Sequence, residues 1–202
     1  MAQKKLSREV RRKQILGAAF EVFAQKGFSR ATTEEIATKA GISQGLIFKH
    51  YKTKKELFLA CLNEHTEFLT RSLGEILAQG QSAKPEEMVQ KIFSFFFSYL
   101  AQKPSYIRMM LKVPGEIDDP EVKDFLSENL RVAKELSVRA IQKEIKNGVF
   151  RDDFNVELFS WLFVGSYISI ALLLELGVIP NPESISISDF LQPFLRQKSE
   201  TK

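Results

Sequence analysis

The residues whose types and spacing suit chemistry lie together at Gln44, Gly45, Lys49 and His50, where donors and bare backbone stand with no carboxylate among them. On a short helix opening at Ser43 they share the outward side, while Leu46 or Ile47 anchors inward. A face of that kind suits a phosphate-lined groove, in which side chains neutralise charge and reach base edges. Basic clusters bracket it: Lys4, Lys5, Arg8, Arg11, Arg12 and Lys13 before, and Lys52, Lys54 and Lys55 after. Each cluster alone reads as a solvated face, but three basic segments around one exposed helix, counting Lys4 and Lys5 apart from Arg8 to Lys13, point to a polyanion. Lys54 falls in the first turn of its helix, where the dipole favours an acid, and a cation there makes sense opposite a phosphate.

No catalytic set competes with this face. The chain lacks a P-loop, a glycine-rich dinucleotide fingerprint, a nucleophile elbow and an HExxH pattern, so no enzyme activity, cofactor or metal is expected. Asp118 with Asp119 and Asp152 with Asp153 sit at helix starts, where capping accounts for them. The single cysteine, Cys61, excludes an internal disulfide and a cysteine-rich zinc site, and its apolar surroundings read as a buried thiol. His65 reads as an ordinary helix-surface histidine.

The elements that must position these residues are helices. Thr32 with Glu35 forms a capping box, Ile36, Ala37 and Ala40 give an apolar face, and Gly41 closes the helix with Ile42 tucked beneath. Before it, Ile15, Leu16, Ala19, Phe20, Val22 and Phe23 repeat at three and four from about Arg8 to Gln25, stopping at Lys26 and Gly27. After it, Thr53 with Glu56 opens a long helix toward Gly80, and the stretch from Gln79 to Pro85 reads as a linker. Further helices run from Met88 to Leu100, from Ser105 to Lys112, from Asp119 and Pro120 to Asn147, from Asn155 to near Gly177, and from about Ser188 to Gln197. The fold class is therefore all-α, about nine helices, a three-helix head on a larger helical bundle. The boundary is placed so that 1–52 is the basic head, suited to DNA binding, and 53–202 the larger bundle, to which the resemblance given below assigns ligand binding and dimerisation.

Charge divides the same way. Residues 1–60 hold 13 Lys and Arg against 5 Asp and Glu, while the chain as a whole carries +4, so attraction for a polyanion is concentrated at one end. The N-terminus has no apolar signal core, which gives a cytoplasmic expectation. Leu158 to Leu174 carries no charge but is just short of a membrane span and rich in Ser and Gly; it reads as a core or dimer-interface helix, with no membrane partner.

Thr33, Ile36, Ala37, Ala40, Gly41, Ile42, Ser43, Gly45, Ile47, His50, Tyr51, Lys54 and Leu57 resemble, in type and spacing, the signature of the tetracycline-repressor (TetR) family of bacterial transcription factors. The signature covers about a quarter of the chain, and the chain's length and helix count are also similar to that family. The resemblance implies that Thr33, Phe48, His50 and Lys54 hold phosphates while Gln44, Gly45, Leu46 and Lys49 approach base edges, with the arm from Lys4 to Arg8 reaching further phosphates or the minor groove. Phe48 departs from the family's usual tyrosine, which removes one phosphate hydrogen bond at a cost on the order of 1 kcal/mol.

The resemblance also implies a homodimer on a double-stranded DNA operator, with Leu162, Ser169, Leu172, Leu173, Phe190 and Phe194 as candidate interface residues. It implies a small effector in a helical chamber; the aromatic wealth makes that ligand hydrophobic or amphipathic, with Phe93, Phe96, Phe97, Met110, Phe125 and Trp161 as candidate lining. The expected function is a ligand-released transcriptional repressor. The alternative is a small-molecule-binding helical protein that signals through a protein partner, toward which Phe48 leans.

Overall fold

The residues that repeat at three and four along the first predicted helix turn inward: Ile15, Leu16, Ala19, Phe20, Val22 and Phe23 are buried along α1, Arg8–Arg30. Ser7 caps it, accepting from the Val10 amide at 3.3 Å. The regular helix breaks where the sequence placed its stop, because Gly27 takes φ 77° and ψ 170°, which a side chain rarely allows. The chain then winds on to Arg30 beyond that kink. In this computed structural model the described residues are 7–79, 91–92, 94–96, 98–99, 102, 104–179 and 192–195, and among them the protein is all-α.

They fall into two compact units, residues 1–70 with 105–125, and residues 71–104 with 126–202. In the first unit α1 is followed by α2, Thr33–Ala40, and α3, Gln44–His50. Both bonds of the α2 capping box are present, Thr32 Oγ1 accepting from the Glu35 amide and Glu35 Oε2 from the Thr32 amide, each at 3.2 Å. Gly41 closes α2 in the left-handed conformation, its N–H donating to Thr38 O and that of Ile42 to Ala37 O. α4, Lys54–Gln79, opens with Thr53 Oγ1 accepting from the Glu56 amide at 3.0 Å, but the Glu56 carboxylate takes the Lys52 N–H at 2.7 Å rather than that of Thr53. Phe58 stands edge-on to Phe23 at 5.0 Å and 4.9 Å from Phe28, and with buried Leu57 and Cys61 these rings form the core under the head. Burial raises the pKa of the Cys61 thiol, so it is an inert core group. α5, Pro104–Lys112, a 3-10 turn Val113–Glu116 and the start of α6, Pro120–Lys146, complete the unit, with Ile107, Met109, Val113 and Val122 buried.

The second unit holds the rest of α6 and α7, Val156–Glu175, which Asn155 caps by accepting from the Leu158 amide at 2.9 Å. Phe159 packs on Phe154 at 5.5 Å and on Phe194 at 4.5 Å, and Phe96 stands edge-on to Tyr167 at 5.2 Å. The last expected helix differs in its described part. Gln192–Phe194 is a 3-10 turn, followed by a bridge between Phe150 and Leu195, and Pro193 has no N–H to donate within a continuing α-helix. The linker from Gln79 to Pro85 lies outside the described residues beyond its first position, as do Lys4 and Lys5.

Candidate nucleic-acid interface

The inward anchor of α3 is Ile47, 1% exposed, whereas Leu46 is half-buried and lines a groove of about 430 Å³ with Arg11, Ala37, Thr38, Gly41, Ile42 and Ser43. With Ile47 fixed, Gln44, Gly45, Phe48 and Lys49 face out and His50 is half-buried. No acid occurs on α3, so its donors compete with no local carboxylate.

Three polar ties hold α3 and α2 against the scaffold. Gln14 on α1 donates to Ala40 O at 2.6 Å, securing the end of α2, while Arg11 donates to Gln14 Oε1 at 2.8 Å and orients that amide. Tyr51, directly after α3, is buried, and its hydroxyl accepts from Arg12 Nε at 3.2 Å; desolvation pushes its pKa up. Lys26 pairs with Glu35 of the capping box and, mainly through that bond, lowers the Glu35 pKa. The sequence marked none of these ties; Tyr51 stands between His50 and Lys52, and only the signature match singled it out.

Gln44 and Thr33 are brought into contact: Gln44 Nε2 donates to Thr33 Oγ1 at 2.6 Å. Lys54 is placed differently from expectation. Its ammonium donates to Phe28 O at 2.8 Å, Ala31 O at 3.0 Å and Ser29 O at 3.4 Å, and lies 4.5 Å from the Phe28 ring centroid. An ammonium has three N–H donors, and the carbonyls leaving α1 engage all three. The cation expected opposite a phosphate instead stands at the negative end of α1. The same bend is held by Glu116, which accepts from the Ser29 hydroxyl at 2.7 Å and the Ser29 amide at 3.3 Å. Next to Lys54, Lys55 pairs with Asp119 at 3.1 Å and Glu121 at 2.9 Å.

The other candidate residues scatter. Met110 and Phe125 are half-buried in the first unit. Phe96 and Trp161 belong to the second; Trp161 is 46% exposed, with the Lys134 ammonium 5.8 Å from its ring. Phe93, Phe97 and Phe190 lie outside the described residues. On α7, Leu162 is 61% and Leu172 45% exposed, Ser169 is exposed and Leu173 half-buried. Phe194 packs within its own chain, on Phe154 and Phe159.

Comparison with known proteins agrees with this geometry. Residues 15–61 match the model of the family described as bacterial regulatory proteins, tetR family. The chain is 28% identical over 137 residues to the HTH-type transcriptional activator FasR of Mycolicibacterium smegmatis, across 68% of this chain and 59% of FasR. It is 25% identical over 148 residues to the HTH-type transcriptional repressor KstR2 of the same organism, across 73% of this chain and 71% of that one. Among solved structures, the transcriptional regulator FadR of Bacillus subtilis, in complex with stearoyl-CoA, superposes with a TM-score of 0.72 at 20% identity, over 85% of this chain and 91% of that one.

Proposed function

We propose that the chain, whose residues 15–61 match the tetR family model, is a regulator of that family: a sequence-specific, effector-released repressor acting as a cytoplasmic homodimer through its N-terminal helix-turn-helix. The observation that carries this reading is α3: Ile47 locks it to the core while Gln44, Gly45 and Lys49 stay outside on a surface without acids. In this reading Gln44, Gly45, Leu46 and Lys49 meet base edges, and Thr33 and His50 meet phosphates. Phe48 contributes ring packing against the backbone, being 45% exposed and without a hydroxyl. Lys54 supports the head from within instead of touching DNA.

A dimer supplies the second reader. Leu158, Leu162, Leu172 and Leu176 recur at helical spacing along α7 and all are exposed. α7 is also long and apolar enough to cross a membrane. A second copy fits it better, because the opposite side of α7 is buried within its own chain at Phe159, Ser160, Ile170 and Ala171. For the effector, Ser160 supports an amphipathic ligand: its hydroxyl is fully buried with no hydrogen-bond partner among the described residues, an arrangement that costs about 1–3 kcal/mol until a partner arrives.

Fluorescence anisotropy with the DNA upstream of its own gene tests the reading. Saturable binding that weakens steeply with salt is expected. Binding no tighter than to unrelated DNA would favour signalling through a protein partner, for which the exposed Phe48 ring would serve.

A further inference from the structure

We infer that Thr33 is a positioning residue that turns the Gln44 carboxamide into an adenine reader. The inference rests on α3 being the DNA-reading helix and adds which base it reads and what sets that choice.

Gln44 Nε2 donates to Thr33 Oγ1 at 2.6 Å, a contact between the first residues of α2 and α3. A carboxamide has two N–H donors and one carbonyl oxygen. Where Thr33 holds the N–H trans to the carbonyl, the other N–H stands beside the carbonyl as a paired donor and acceptor. In the major groove adenine alone offers the matching pair, an N7 acceptor next to an N6 donor. Guanine shows two acceptors, so the Gln44 carbonyl would face O6, lone pair against lone pair.

Three features hold the amide in this sense. Thr33 is β-branched and therefore stiff at its first torsion, and it is half-buried. It stands in the first turn of α2, which the Thr32 and Glu35 box fixes. No acid occurs on α3 to draw the amide away. The hydroxyl that accepts from Gln44 keeps its own O–H to donate, so the atom that orients the base reader can also bond a phosphate. Backbone registration and base choice then meet on one oxygen.

The test is selection of bound sequences from random duplex DNA with the full chain, followed by affinities for single-base variants of the selected site. The contacted base pair is the position where Gln44→Ala loses its preference. Adenine is expected there, favoured over guanine by roughly 5- to 150-fold, the span of a good bidentate contact. Thr33→Val, which keeps the shape but removes the oxygen, should cut that ratio at least fivefold, and Thr33→Ser should restore most of it. Guanine at the contacted position overturns the inference, because it requires both amide N–H groups to be free. Equal weakening of all sequences by Thr33→Val also overturns it, leaving only a phosphate role. If wild-type protein selects no DNA, the proposed function falls with it.

Discussion

At the level of single residues, Lys54 shows how a charge legible in sequence can have intrachain partners that sequence does not reveal. Its charge at the start of α4 was legible, but the carbonyls of Phe28, Ser29 and Ala31 that use it lie more than twenty residues earlier, beyond any periodicity. Lys54→Ala should lower unfolding stability by about 1.5–3 kcal/mol, the range for hydrogen bonds to a charged group, as measured by denaturant titration. The salt slope of DNA binding should stay as it was; a flatter slope would return Lys54 to the phosphates. Gly27 is the complementary case, since its role as a stop was readable from sequence alone. An added Cβ there meets Glu116 Oε1 at 3.3 Å and enforces a backbone region reserved for glycine, so Gly27→Ala should cost about 1–3 kcal/mol. An unchanged melting temperature would show that the bend relaxes freely. His65 was read as a surface histidine, yet its ring lies 3.9 Å from that of Phe20 and 5.1 Å from that of Tyr106, contacts that only tertiary packing creates.

Elements were easier to read than contacts, because caps and stops are local. Thr32, Gly41, Asn155 and Pro120 each mark the boundary they suggested. The exception is the terminal stretch, where the apolar spacing of Phe190, Leu191, Phe194 and Leu195 concealed what Pro193 does to the backbone. α7 makes the sharpest prediction at this scale. Leu162→Glu with Leu172→Glu should give a folded monomer in sedimentation and lose high-affinity operator binding, since both leucines are exposed in the single chain. A persistent dimer would place the interface elsewhere. Phe194 is the wrong site for such a charge, because it would break the packing on Phe154 and Phe159. The junction of α4 with α6 carries a pH dependence. The Lys55 hydrogen bond lowers the Asp119 pKa, so its contribution is present above the ordinary carboxylate range and is lost as pH falls through the lowered value. Glu121 and Asp119 raise the Lys55 pKa, so that half is lost only as pH rises past the ordinary lysine range. Lys55→Met should therefore flatten the loss of thermal stability below pH about 4 and leave the slope near neutrality alone.

For the whole molecule, the basic N-terminal quarter and the all-helical body were both legible in composition, whereas the membership of the two compact units was not. Residues 105–125 group with the head although they lie far along the chain, and only the folded packing of Tyr106, Ile107 and Val113 reveals it. The proposed effector chemistry is the least legible property, because it rests on the Ser160 hydroxyl, without a hydrogen-bond partner among the described residues through burial that periodicity does not report. Ser160→Ala should leave the free protein as stable or more so and blunt release from DNA by an amphipathic ligand; a titration with long-chain acyl compounds, read by anisotropy, checks it. The adjacent lysines at the start of α4 carry one further consequence, in chemical reactivity. Acylating reagents attack an accessible, unprotonated amine, and the Lys54 and Lys55 ammonium groups are each held by two or more acceptors, whereas Lys49 and Lys52 are exposed. Brief labelling should thus mark Lys49 and Lys52 first, reach Lys54 only when the bend at the end of α1 opens, and reach Lys55 only when its pairs with Asp119 and Glu121 part. The order in which neighbouring lysines are modified becomes a clock for that opening, readable by mass spectrometry before any effector or operator is known.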